Sequence, residues 1–164
     1  MSSALITATV LGLAGLVYSA VIGFAAASST EVFRHVNFGI FFTLITLLAH
    51  SMTMFYLIGK GKAVREAAAE GQLSPDLYAT VARARKPVFS IGTVAMLLTM
   101  ATAIIGGSVD TGVLPAGVHS VLAVSAIVAN VMALRTEVAA MVTSARVVTE
   151  VDALLAEDGS ASPS

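Results

Sequence analysis

The sequence predicts an all-α integral membrane protein, a four-helix bundle with both termini on the inner side and with its second and fourth helices extended beyond the lipid. Two observations carry that prediction. Residues 4–27, 36–58, 88–109 and 114–134 are apolar stretches without a single Asp, Glu, Lys or Arg. Each is long enough for a hydrocarbon core about 30 Å thick, which takes roughly 20 helical residues at about 1.5 Å each. The second observation is compositional: 57% of the chain is hydrophobic and 12% charged, where a soluble domain carries about 25% charged residues.

The first stretch reads as a retained helix and not as a secretory leader. No Lys or Arg precedes it, and its apolar run exceeds the usual 7–15 residues of a leader. Gly12, Gly15, Ser19 and Gly23 recur at steps of three and four and form one small-residue face, which lets another helix approach closely.

Basic residues set the expected direction of each helix. Lys60, Lys62, Arg65, Arg83, Arg85 and Lys86 lie between stretches two and three, Arg135 and Arg146 follow stretch four, and only Arg34 lies on the other side. The positive-inside rule then places both termini and the central segment in the cytoplasm, in the cell (inner) membrane.

Stretch two does not stop at the lipid. Residues 62–70 have high helix propensity, with Lys62 and Glu66 four apart and Gly71 as terminator. Ser74 is expected to cap the next helix, with Pro75 at its first position, and Pro87 to mark a break or kink before stretch three. Stretch four continues likewise: Val138, Met141, Val142, Ala145, Val148, Val151 and Leu155 form a helical stripe. That stripe needs a cover, either the neighbouring extensions or another protein. Residues 1–158 are therefore expected to form one domain, and residues 159–164 a tail of disordered composition.

Function is sought in the histidines. Cysteine is absent, which removes disulfides, thiolate metal sites and covalent haem attachment. No phosphate-binding glycine loop or metalloprotease motif occurs, no catalytic constellation is evident, and nothing points to nucleic acid. The lack of carboxylates in the apolar stretches argues against a proton-coupled carrier. His50 lies inside stretch two, His119 inside stretch four, and His35 at the start of stretch two. Because stretches two and four run in the same direction, His35 and His119 should share a depth. Two imidazoles at one depth on different helices can hold one metal centre.

His50 follows His35 by 15 residues, a rise of about 22 Å that returns it to within about 60° of the same helix face. This spacing resembles the paired haem ligands of cytochrome b-type helices, in which one helix serves a haem near each membrane face. The resemblance, which covers one helix and two residues, implies haem b as cofactor with His35 and His50 as cofactor-binding and metal-ligating residues, and the shared depth adds His119 to them. Stretch four departs from that pattern, since Met132, Ala133 and Leu134 stand where a second histidine would be needed. His50 is therefore assigned to a second haem or a quinone position, against the alternative of an imidazole bonded to Ser51, Thr46 or Tyr56. Asn37 and Asn130 are candidates for hydrogen bonds between helices.

The expected function is that of a small membrane subunit, an electron-transfer anchor for haem b in a larger complex. A cofactor-free structural or assembly subunit is the main alternative, and a small-solute channel or carrier the third. Lipid, other membrane subunits or further copies of the chain, and a quinone are the expected partners.

Overall fold

The computed structural model describes residues 1–161, with side chains through Glu157. Its four helices are α1 (Ser2–Ala25), α2 (Ser29–Glu70), α3 (Asp76–Asp110) and α4 (Ala116–Ala161). All four are long and apolar enough to cross a membrane, and the described residues contain no strand. With 42 residues α2 is about 63 Å long, roughly twice the hydrocarbon thickness.

The helices form a ring in which α1 and α3 each pack against both α2 and α4. Across the middle, α2 also touches α4, whereas α1 and α3 do not meet. Small residues set the closest approaches. On α1, Gly12 faces Thr46, Gly15 faces Phe42 and Gly23 faces His35, while Ser19 meets Gly39. Each pair of numbers sums to 57 or 58 (12 and 46, 15 and 42, 19 and 39, 23 and 35), the signature of an antiparallel register. A Cβ on Gly15 would lie 1.9 Å from the Phe42 ring, so even alanine forces these helices apart. The small-residue face thus packs within the chain.

The α1–α2 connection is fixed by a capping box. Glu31 N donates to Ser28 Oγ, and the Glu31 carboxylate accepts from Ala27 N at 2.8 Å and Ser28 N at 3.1 Å. Ser28→Ala should lower stability by about 1 kcal/mol, measured as a fall in the thermal unfolding midpoint of detergent-solubilised protein. At the opposite corner Gly112 takes φ +73°, a conformation that side chains disfavour, and closes the turn into α4.

Below the level of Leu5 and Ile6, where α1 starts, the other three helices continue alone. Val64, Leu77, Val81, Val147 and Val151 form the core of this extension, with Ala67, Leu73, Tyr78, Val148 and Leu155 packed around it. The expected stripe of α4 is thus covered only in part: Met141 and Val151 are buried and Val148 and Leu155 half-buried, whereas Val142 is 65% exposed and Ala145 exposed, because the buried face runs through Ala140, Ser144 and Val147 instead. Each buried valine contributes about 1.5–3 kcal/mol of burial energy, which holds three helix ends together without a fourth.

Two local expectations change. The break at Pro87 does not occur, and α3 is one helix from Asp76 to Asp110. Proline removes one amide donor, but Val81 and Val88 are fully buried on either side of it, and their packing keeps both halves helical. The cap of α3 moves by one residue: Ser74 Oγ accepts from Asp76 N at 3.3 Å, and Pro75 precedes the first helical residue. The expected tail, residues 159–164, lies partly outside the described residues.

Candidate functional site

The end of the bundle opposite the basic residues contains a cavity of about 520 Å³. Every helix contributes to its wall, among them Ser19 from α1, His35 and Thr43 from α2, Thr102 from α3 and His119 from α4. His35 sits two turns into α2. Its Nδ1 lies 2.8 Å from the Ser19 carbonyl oxygen and 3.3 Å from Ser19 Oγ. A carbonyl can only accept, so Nδ1 carries a proton, and in the neutral ring the lone pair is on Nε2. Second-shell carbonyls fix metal-binding histidines in this way, setting both the tautomer and the ring plane.

His119 faces His35. The ring centroids are 6.0 Å apart and the planes nearly perpendicular, at 77°. His119 Nδ1 is buried without a hydrogen-bond partner. A buried polar atom left without a protein partner costs about 1–3 kcal/mol; of the three such atoms among the described residues, the others being Thr53 Oγ1 and Ser144 Oγ, this one belongs to a residue of the cavity wall. Glycines make room for both rings: a Cβ on Gly23 would lie 2.6 Å from His35, and one on Gly106 would lie 3.1 Å from His119. Gly23→Ala should therefore push His35 off the Ser19 carbonyl, and the measurement that checks it is a changed His35 ring signal in NMR of imidazole-labelled protein.

Nearer the basic end, a second polar group ties all four helices. His50 is fully buried, with Nδ1 2.6 Å from Glu137 Oε1 and Nε2 2.8 Å from Asn130 Oδ1. Asn130 Nδ2 donates to the Ala126 carbonyl at 2.7 Å and to Thr99 Oγ1 at 2.8 Å. Thr99 passes its own proton to the Ala95 carbonyl. From α1, the Thr9 hydroxyl lies 3.4 Å from Glu137 Oε2 and 3.1 Å from the Leu5 carbonyl.

Protons can be assigned through this chain. The Ala126 carbonyl fixes the Asn130 amide nitrogen, which leaves Oδ1 as the group facing His50. Oδ1 only accepts, so His50 Nε2 is protonated. The short Nδ1–Oε1 contact then holds one further proton, shared between imidazole and carboxyl. Both His50 nitrogens are thereby engaged, and neither offers a free lone pair.

The three candidate histidines thus divide. His35 and His119 come together at one depth, as the parallel direction of α2 and α4 requires, and His50 stands apart in the hydrogen-bonded group. Among the described residues no three His, Cys, Asp or Glu side chains gather as a metal site. The proposed partners of His50 also change: Thr46 Oγ1 donates to the Phe42 carbonyl and Ser51 Oγ to Met96 Sδ, while Asn130 and Glu137 take the imidazole.

Glu137 is the residue that sequence reasoning missed. It lies three positions beyond the apolar stretch 114–134 and was counted outside it, yet it is 1% exposed in the bundle interior. The apolar stretches hold no carboxylate, but the bundle interior does. A signal was available, since Asn130, Ala133 and Glu137 follow one another at steps of three and four on one helix face. No protein-family model, curated protein or solved structure matches this chain.

Proposed function

We propose that this protein is a multi-pass subunit of the cell membrane, with both termini cytoplasmic, that holds a b-type haem between His35 and His119 and carries electrons through it. The facing pair of imidazoles across a cavity is the observation that supports this reading. With metal–nitrogen bonds of about 2 Å and ring centres roughly 1 Å further out, two imidazoles that held one metal ion between them would have centroids roughly 6 Å apart. The separation of 6.0 Å fits that requirement.

The surrounding chemistry agrees. His35 presents a lone pair on Nε2 because Ser19 holds the proton on Nδ1, and neutral imidazole is the form that binds iron. The apolar part of the wall, which includes Leu16, Val36, Ile40 and Ile127, suits a flat hydrophobic macrocycle. Haem supplies the one-electron chemistry when bound; the helices supply ligands, orientation and a low dielectric. His50 has no role as ligand in this reading, and one haem per chain is expected. Electron donors and acceptors are then other membrane subunits or a quinone.

The test is an absorbance spectrum of protein purified from a host with ample haem. A Soret band, with α and β bands after dithionite, supports the proposal. Colourless protein that is otherwise folded overturns it and leaves a cofactor-free assembly subunit.

A further inference from the structure

At the basic end, two arginines surround one tyrosine without a counter-ion. Arg85 Nη2 donates to the Tyr78 hydroxyl at 3.1 Å, and its guanidinium carbon lies 5.7 Å from the Tyr78 ring centre. Arg65, from α2, lies 6.0 Å from the same ring. Gly61 makes the space: a Cβ there would be 2.5 Å from Arg85 Nη1, so the guanidinium lies directly against the α2 backbone. Arg85 is half-buried. Among the described residues, neither arginine has a carboxylate within salt-bridge distance, whereas nearby Lys62 is paired with Glu66 at 3.7 Å.

Two like charges on one ring, one of them half-buried, call for an anion. A guanidinium has five N–H donors in a planar fork, and Arg85 uses one of them on Tyr78, which leaves a fork suited to phosphate oxygens. Depth identifies the source. Gly61 lies one turn past residue 58, the end of the second apolar stretch, and Arg85 one turn before residue 88, the start of the third. Both therefore sit at the level where hydrocarbon gives way to headgroups.

We propose that Arg85 and Arg65, arranged around Tyr78, bind the phosphate of an anionic phospholipid at the inner boundary of the membrane. This rests on the membrane reading and is independent of the haem. Phosphatidylglycerol titrated into the detergent-solubilised full chain should raise its unfolding temperature and give a bound-lipid peak in native mass spectrometry. Arg85→Gln should weaken that binding about tenfold or more, the loss of one or two charge-assisted hydrogen bonds. Arg85→Lys, which keeps the charge and loses the fork, should weaken it by an intermediate factor.

Arg65→Gln, at an exposed position, gives the same readout if Arg85→Gln does not fold. Lys62→Gln should leave lipid binding unchanged. Equal losses in Lys62→Gln and in the arginine variants would overturn the proposal in favour of general charge attraction. Inorganic phosphate that reproduces the stabilisation would overturn the lipid assignment. Haem absorbance should be the same in all these variants, so failure of the lipid site and failure of the haem reading are separable.

Discussion

Replacing His35 or His119 with alanine is expected to remove the Soret band, with at least a tenfold fall in haem absorbance per protein in either variant. If the two imidazoles held a haem, a lost one would have no other nitrogen donor to replace it among the cavity-wall residues: His50 is engaged on both sides, and the rest of the wall offers hydroxyls, hydrocarbon and the Asp110 carboxyl group. The two variants should differ in stability. His119→Ala removes a buried, unpartnered Nδ1 and should cost little in the haem-free protein. His35→Ala gives up the Ser19 contacts and the packing against Gly23, and should lower the unfolding midpoint as well. His50→Ala is the control, with the Soret band retained and the fold weakened. An unchanged spectrum in both His35→Ala and His119→Ala would remove the ligand assignment.

The second large effect is expected at Glu137. Glu137→Leu leaves His50 Nδ1 buried without a partner and should cost about 3 kcal/mol, as for other buried pairs broken on one side. Glu137→Gln should cost far less, about 1 kcal/mol or under, because its amide N–H can donate to Nδ1 while Nε2 still donates to Asn130. Thermal unfolding in detergent at neutral pH compares the two directly. Equal losses for Leu and Gln would mean that the carboxylate's charge, and not a shared hydrogen bond, holds the pair.

The sequence made the helices legible because bilayer thickness and charge exclusion act on long runs of residues, where local exceptions average out. It also placed His35 and His119 at one level, since that follows from helix direction alone. Their mutual approach was not legible, because it depends on the diagonal contact of α2 with α4 and on the alignment that Asn130 and Glu137 set through His50. Glu137 was hidden for a different reason. A charge just beyond an apolar run reads as an interfacial residue, and only the partners on two other helices, Thr9 of α1 and His50 of α2, bring it inside. Pro87 misled as to a break in the same manner: its local preference is real, but the burial of Val81 and Val88 keeps the helix continuous through it.

The diagonal contact between α2 and α4 gives the bundle the character of a vernier. His119 follows His35 by 84 positions (119 − 35), while Asn130 and Glu137 follow His50 by 80 and 87, bracketing the same offset. One alignment of two parallel helices thus satisfies two stations about 22 Å apart. A slip of α4 by a single turn, about 5.4 Å, would unmake both stations together. The polar group around His50 therefore acts as a remote reference mark, and the gap between the two outer imidazoles is calibrated far from where it is used.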